Sequence, residues 1–261
     1  MMPRWLRAAL TELWLPVLLV LLWWFASASS TSLYFPPLHA SIEALHRDWF
    51  FAQFKSDLVP SLKNLAVGYL LTLLIAISAG TALGLLPRFE EVVRPIVEFL
   101  RSVPGITLLP LMVVALGLGG SMRVGTIVIA AVWPTLLNTI DGVRSVDLVV
   151  QDVARSLRLS RGNRLRRVIL PAAAPQIFAG ARTSLSIAVV VMVVTESVGA
   201  TGGIGYFLLK AEQDFDIASM WGTIILLGLL GYILNSAFRV VEALTIPWHR
   251  ARSTQGRKAT A

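Results

Sequence analysis

Long apolar runs alternate with short charged segments along this chain, and the alternation limits what it can fold into. Asn64 to Leu86 contains no charged side chain, and about 20 apolar residues are enough for a helix to cross a bilayer. Hydrophobic residues make up 56% of the 261 residues and charged residues 15%, with a mean hydropathy of +0.71. These values exclude an ordinary soluble domain and predict a polytopic membrane protein.

We expect an all-α integral membrane protein, a single transmembrane domain over residues 1–261 with six transmembrane helices. The length allows six spans and short loops, but no large extramembrane domain as well. The predicted spans cover about 12–30, 64–86, 103–119, 124–141, 177–198 and 220–241. In the second span Gly68, Gly80 and Gly84 predict close helix contacts.

The first and third predicted spans each admit a second interpretation. Ala26-Ser27-Ala28 resembles a signal-peptidase site, so the first run would then be a cleaved signal peptide, whereas the paired Trp23 and Trp24 favour a span anchored at the interface. The third run is rich in proline and glycine. Such residues indicate either a helix that faces protein or a pathway, or a packing kink.

The stretch from Tyr34 to Lys63 is predicted to be an amphipathic helix on the membrane surface. Its apolar side chains recur at helical spacing while charged residues occupy the other faces. These apolar residues are Ile42, Leu45, Trp49, Phe50 and Phe54.

The lysines and arginines fall mostly on one side of the predicted topology. That side takes Arg4, Arg7, Arg88, Arg94, Arg101, Arg144, Arg155, Arg158, Arg161, Arg164, Arg166, Arg167 and a basic tail after Trp248. The other side takes Arg47, Lys55, Lys63, Arg123 and Lys210. The positive-inside rule therefore places both termini in the cytoplasm.

A polar segment, Asp152–Pro171, interrupts the apolar runs between spans four and five; we call it the arginine-rich segment. Its arginines fit a topology signal, which is the plainest interpretation. Val153 and Leu157 also allow a short helix with an apolar stripe, Gly162 allows a turn, and Pro171 suits the start of a new helix. A short amphipathic helix that projects from a membrane is typical of a docking element.

This segment resembles the cytoplasmic signature of the permeases of binding-protein-dependent ABC importers. The signature reads Glu-Ala-Ala, three residues, Gly, nine residues, then Ile-x-Leu-Pro. The matching positions are Asp152, Val153 and Ala154, then Val168, Leu170 and Pro171. Arg158 occupies the glycine position, where a left-handed backbone costs about 1 to 2 kcal/mol, so the turn is either displaced toward Gly162 or strained.

The resemblance extends from roughly Ser61 to Trp248. LRSVPGITLLPLMVVALGLG, LPAAAPQIFAGAR and TESVGATGGIGYFLL look like the branch that serves nitrate, sulfonate, taurine and bicarbonate. The resemblance implies alternating access by a permease homodimer, two cytosolic ATPase subunits that bind ATP and magnesium, an extracytoplasmic substrate-binding protein, and a cytoplasmic coupling helix at about 152–162. The implied ATPase-coupling residues are Asp152, Val153, Ala154, Arg155, Leu157, Arg158, Leu159, Gly162, Leu170 and Pro171.

Catalytic chemistry is scarce in the chain. No glycine directly precedes any lysine, so there is no P-loop and this chain is not the ATPase. There is also no HExxH motif, no GxSxG motif and no cysteine. We expect a chain that is not an enzyme and holds no cofactor or metal, embedded in the bacterial cytoplasmic membrane and without a nucleic-acid partner.

Glu196 and Arg182 are ionisable residues within the fifth predicted span. Arg182 is expected to reach the cytoplasmic interface. Glu196 is either part of an outer gate or a structural hydrogen-bond acceptor for the glycine-rich turn at Gly199–Gly205. Pro110 and Asn138 are the further candidates for the translocation pathway.

Two other function classes compete with the ABC permease. A secondary transporter would show paired repeats in two halves, and a membrane-bound enzyme would need a catalytic constellation; neither is evident. The expected substrate is a small oxyanion such as an aliphatic sulfonate or taurine, with nitrate, bicarbonate, or an uncharged aromatic or pyrimidine compound as alternatives.

Overall fold

The computed structural model describes residues 4–30, 32 and 34–247, without the side chains of residues 4–13, 16, 51 and 52. Over these residues the backbone forms helices and connecting turns, with no β-strand. The α-helices, numbered α1 to α11 in chain order, are Arg4–Ser27, Leu38–Arg47, Val59–Leu85, Pro87–Ser102, Leu109–Leu116, Gly120–Arg144, Leu148–Ser156, Arg161–Arg164, Leu170–Ser197, Ile204–Gln213 and Ile217–Thr245. The predicted basic tail lies outside the described residues.

Four helical stretches are long and apolar enough to cross a membrane. They are Phe54–Leu85, Gly120–Arg144, Arg161–Ser197 and Ile217–Thr245, and they match the second, fourth, fifth and sixth predicted spans. Each begins before its predicted bound, because hydropathy locates the apolar part of a helix and misses the polar turns that extend it. The first predicted span overlaps α1, in which Val17–Ser27 is the apolar part found among the described residues.

The third predicted span, 103–119, is not one continuous helix. It contains a 3₁₀ turn, Gly105–Leu108, and the eight-residue α5, which is too short to cross a bilayer alone. Pro104 forces the preceding Val103 into an extended conformation, and the chain from α4 to α5 bends by 84°. Within the described part of the chain, this bent pair adds a fifth crossing if its two helices together form one span.

The prediction of one surface helix over 34–63 is wrong in its extent and in the position of Trp49. The chain there forms α2 and two π-helical turns, Asp48–Ala52 and Phe54–Leu58, before α3 begins. The Trp49 side chain is buried, its ring lies 5.1 Å from that of Phe207, and its Nε1 donates to Thr223 Oγ1 at 3.1 Å. Helical spacing predicts that Trp49 faces the membrane. The side chain instead packs against α10 and α11.

The core is built by α6, which packs along both α3 and α9. Small residues let the backbones approach, as predicted for α3. A Cβ atom added at Gly68 would lie 2.8 Å from Ile127, and one added at Gly180 would lie 2.6 Å from the carbonyl oxygen of Pro134. Since these neighbours leave no room for a methyl group, the three helices form one tightly packed body.

Polar side chains also connect the helices. Thr135 of α6 and Ser184 of α9 share a hydrogen bond of 2.7 Å between their hydroxyl oxygens. Arg182, which was predicted to reach the cytoplasmic interface, donates a hydrogen bond to Glu242 of α11. Inside a bilayer such contacts hold helices together because water is not there to compete.

Candidate functional site

The arginine-rich segment begins within α7, Leu148–Ser156, so the helix starts four residues before the predicted coupling helix. The Asp147 side chain caps it by accepting the backbone N–H of Val149 at 2.8 Å, which satisfies one of the free donors at a helix start. The N-cap lies outside the segment that the family signature covers, which is why the signature alone places the helix start too late.

A left-handed turn at Arg158 ends α7. Arg158 has φ +54, its N–H donates to the Arg155 carbonyl at 2.8 Å, and the Leu159 N–H donates to the Ala154 carbonyl at 3.2 Å. These two bonds and the left-handed residue form a Schellman motif, which usually places glycine at this position. Of the two alternatives, the strained turn at Arg158 is correct, since Gly162 lies within α8 and has no left-handed backbone.

One face of α7 presents apolar side chains to its surroundings. Leu157, one of the implied ATPase-coupling residues, is 69% exposed, Val149 is 67% exposed and Val153 is 54% exposed. The spacing of four residues puts all three on one helical stripe. We call these three residues, with the exposed Leu148, the α7 stripe. Ala154 is buried and Leu159 is half-buried, so Leu159 belongs to the supporting side of the turn.

The charged residues of α7 lie beside the stripe. Asp152 Oδ1 accepts from Arg155 NH1 at 3.0 Å, and both side chains are exposed. An exposed ion pair of this kind contributes little to stability, on the order of 0 to 1 kcal/mol. Both side chains are therefore available to a partner at small cost to the fold.

The end of the arginine-rich segment continues directly into a membrane span. After α8, capped by Ser160, the π-helical turn Leu165–Ile169 leads into α9, with Pro171 in its first turn. Leu170 and Pro171 are half-buried, and Gly162 is exposed. The signature Leu-Pro pair thus marks the junction between segment and span.

A second polar site, which we call the glycine-turn cluster, lies at the far end of α9. It consists of Asp57, Ser61, Glu196 and the backbone of Gly203–Gly205. Glu196 is 0% exposed, and its Oε2 accepts the Ser61 hydroxyl at 2.8 Å and the Gly205 N–H at 3.2 Å. These are the contacts of the structural alternative predicted for Glu196.

The same cluster fixes the start of α10. The Gly203 N–H donates to Asp57 Oδ1 at 2.6 Å, and the Ile204 N–H donates to Ser61 Oγ at 3.0 Å. Gly203 has φ +120, and a Cβ atom there would lie 2.6 Å from Glu196 Cδ. Glycine is required at this position for its backbone conformation and for its close approach to the carboxyl group. Sequence reasoning missed Asp57 and Ser61, which no motif connects to residues so far along the chain.

The other two pathway candidates lie in different surroundings. Pro110 is exposed in the first turn of α5. Asn138 is half-buried and donates to the carbonyl oxygen of Pro134 in its own helix at 2.9 Å. A Cβ atom on Gly180 would lie 2.8 Å from Asn138 Cβ, so Asn138 lies in the packed contact between α6 and α9.

Comparison with known proteins defines the class to which this fold and segment belong. The family model described as the binding-protein-dependent transport system inner membrane component matches residues 68–246. The matched region contains the whole arginine-rich segment and most of the glycine-turn cluster. The chain therefore belongs to this family, the membrane permeases of bacterial ABC importers.

The individual relatives that match this chain are permeases of one branch of the family. The taurine transport system permease protein of Escherichia coli is 30% identical over 241 residues, 90% of this chain and 88% of that protein. The putative aliphatic sulfonates transport permease protein of Bacillus subtilis is 31% identical over 73% of this chain and 69% of its own length. The bicarbonate transport system permease protein of Synechococcus elongatus is 33% identical over 68% of this chain and 64% of its own length.

A solved structure shows the shared fold. A chain of the MetNI methionine ABC transporter, in inward-facing conformations, matches with a TM-score of 0.65 and 20% sequence identity. The match covers 72% of this chain and 94% of that chain.

Proposed function

We propose that this chain forms the translocation pathway of an ATP-driven importer as a homodimer, with two cytosolic ATPase subunits and an extracytoplasmic binding protein. One observation carries the coupling part of this proposal: α7 projects an exposed apolar stripe beside exposed charges, in a chain whose family works with such partners. A buried or wholly polar helix in this position would present no apolar surface on which a partner could dock.

The orientation follows from charge. The arginines of the arginine-rich segment lie at one end of α9, and the positive-inside rule assigns that end to the cytoplasm together with both termini. The glycine-turn cluster then lies at the extracytoplasmic end. ATP and magnesium belong to the partner ATPase, since this sequence has no phosphate-binding loop.

The coupling step uses the α7 stripe. Leu157, Val153 and Val149 provide apolar contacts for a groove on the ATPase, while Asp152 and Arg155 exchange their mutual ion pair for contacts across the interface. Closure of the two ATPase subunits would bring the two copies of α7 together, and rigid-body motion of the attached spans would open the pathway outward. Hydrolysis would then reset the pathway inward.

Glu196 has a structural role in this scheme: it holds the glycine-rich turn against α3. The intrahelical bond of Asn138 and its packed surroundings favour a packing role as well. Pro110 is the pathway candidate that we retain, because α5 is a short, broken element with an exposed surface and is therefore suited to line a dimer pathway.

We propose a small oxyanion as the substrate, with an aliphatic sulfonate or taurine first, then nitrate or bicarbonate. This choice of substrate is supported by the similarity to relatives whose names cite these compounds. The direct test is to identify the binding protein that stimulates ATP hydrolysis by the reconstituted complex and to measure which of these anions it binds.

The coupling role is tested by Asp152→Lys in the reconstituted complex. The variant should insert and fold normally because Asp152 is exposed, while substrate uptake falls and ATP hydrolysis no longer responds to the binding protein. Arg239→Glu, a charge change of the same size and opposite sign at an exposed position on α11 away from the segment, is the control. Normal uptake by Asp152→Lys would remove Asp152 from the coupling interface.

A further inference from the structure

An apolar groove runs along the surface of α3 and ends at the arginine-rich segment. Its volume is about 670 Å³, and it is lined by leucine, isoleucine and alanine side chains of α3 and by Leu165 and Leu170. The α3 residues that line it extend from Leu70 to Leu85, about 22 Å along the helix axis. This length is comparable to one leaflet of a bilayer with its interface.

One polar side chain in the groove lacks a hydrogen bond. Thr81 lines the groove, is 8% exposed, and its Oγ1 has no hydrogen-bond partner within the described part of the chain. The oxygen atom is itself buried, so Thr81 presents no free donor to the groove and the lining at this point is effectively apolar. Thr81 lies four residues before the end of α3, about 6 Å from it.

The groove-lining residue Leu165 lies within a run of arginines in the sequence. Arg166 and Arg167 directly follow Leu165, are exposed and form no ion pair among the described residues. The Nε atom of the neighbouring Arg164 is buried and has no hydrogen-bond partner in the described structure. Guanidinium groups bind phosphate strongly because their planar donors match its oxygen atoms.

We propose that this groove is a binding site for an anionic glycerophospholipid of the cytoplasmic leaflet. The groove is apolar along α3, and arginines follow its lining residue Leu165 in the sequence. A lipid has the same order, with apolar acyl chains followed by a charged headgroup. Leucines from Leu70 onward contact an acyl chain, and the exposed Arg166 and Arg167 bind the phosphate and headgroup. Basic sites between spans on the cytoplasmic side favour anionic lipids in this way.

The charge of the site selects the lipid. A zwitterionic headgroup brings its own cation to the arginines, whereas an anionic one does not, and each arginine near the surface favours an anionic lipid by an amount comparable to thermal energy or larger. The proposal rests on the cytoplasmic placement of the arginine-rich segment. That placement is tested separately by labelling a single cysteine, Asn163→Cys, in this otherwise cysteine-free chain from either side of the membrane.

The site is tested by native mass spectrometry of the purified transporter complex with phosphatidylglycerol or phosphatidylcholine. The wild-type complex should retain phosphatidylglycerol about tenfold better than phosphatidylcholine. The double variant Arg166→Gln, Arg167→Gln should lose this preference, while Arg239→Gln, which removes an exposed arginine from α11, should keep it. Because these are surface changes, loss of folding does not obscure the result.

Two groove variants complete the test. Ala82→Phe fills the groove and should reduce the retention of both lipids, whereas Thr81→Val, which changes a buried atom and preserves the shape of the side chain, should leave retention unchanged. Equal retention of the two lipids by the wild-type complex, or an equal loss in Arg239→Gln, would overturn the proposal. A change of oligomeric state in Ala82→Phe would also overturn it, because a second copy of the chain would then be what covers the groove.

Discussion

The two ends of α9 differ in burial: apolar and charged side chains are exposed at one end, and polar side chains are buried at the other. At one end, the α7 stripe leaves leucine and valine side chains more than half exposed, and the Asp152–Arg155 pair is exposed beside it. At the other end, Glu196, Ser61 and Asp57 are buried and bind the backbone of the glycine-rich turn. The exposed groups at the first end can contact another molecule. The buried groups at the second end are already hydrogen-bonded within the chain.

Burial, more than residue type, separates the docking element from the structural element in this molecule. Both ends carry carboxylates within a few residues of a tight turn. Only at the glycine-turn cluster are those carboxylates occupied by backbone donors, and a buried N–H without an acceptor is costly. Substitutions at the two ends should therefore separate folding from coupling.

The largest effect is expected from Gly205→Ala. The new methyl group would lie 2.0 Å from the carbonyl oxygen of Val193, and because that neighbour is backbone, α9 and α10 must move apart. We expect a loss of more than about 3 kcal/mol of stability, measured as the yield and melting temperature of the purified protein. Gly228→Ala is the control, since a Cβ atom there meets nothing within 4 Å; equal behaviour of the two variants would contradict the tight contact.

A smaller effect on stability is expected from Glu196→Ala. It removes the acceptor of the Gly205 N–H and should destabilise the protein by about 1 to 3 kcal/mol. Glu196→Gln keeps an acceptor oxygen, so it should melt near the wild-type temperature and retain uptake. Loss of uptake in a stable Glu196→Gln protein would restore the gate role of the carboxylate.

At the arginine-rich end, Leu157→Asp should leave the melting temperature unchanged and weaken binding of the ATPase. Leu157 is 69% exposed, so the fold loses little contact, while a partner groove would lose an apolar anchor worth about tenfold in affinity. Affinity is measured by titrating the ATPase onto the permease in detergent. Leu118→Asp, at a leucine of comparable exposure between α5 and α6 (62%), serves as the control; unchanged affinity in Leu157→Asp would exclude this face of α7 from the interface.

The smallest effect is expected from Arg158→Gly. Glycine adopts the left-handed backbone without the cost of about 1 to 2 kcal/mol that a side chain incurs, although it also gains entropy in the unfolded chain. The net gain should be below about 1 kcal/mol and visible as a slightly higher melting temperature. A lower melting temperature would show that the Arg158 side chain makes a stabilising contact.

Phe215 provides a second case of the same turn for comparison. It has φ +57, and the bonds from Phe215 N–H to Glu212 and from Asp216 N–H to Ala211 reproduce the Schellman motif at the end of α10. Phe215→Gly should therefore shift the melting temperature in the same direction as Arg158→Gly.

The sequence predicted four of the long spans and the family, because apolar runs and signature spacing are local properties. It failed at residues 103–119, where Pro104 and Gly117 divide an apolar run into a turn and a short helix. It also placed Trp49 on a membrane face, since helical spacing shows which residues share a face and gives no information about what covers that face. The sequence could not predict that Asp57 and Ser61 join Glu196 in binding the glycine-rich turn, because only the folded chain brings the region around the start of α3 next to the end of α9.

The length of the helical stretch that joins the two ends determines how far one end moves when the other rotates. The helical stretch Arg161–Ser197 is 37 residues long, about 55 Å from end to end, and its contact with α6 leaves no room for a methyl group at Gly180. A rod of that length converts a tilt of about 5° into a displacement of about 5 Å at its far end. A rotation of this size about the arginine-rich end would therefore move the glycine-rich turn by several ångströms.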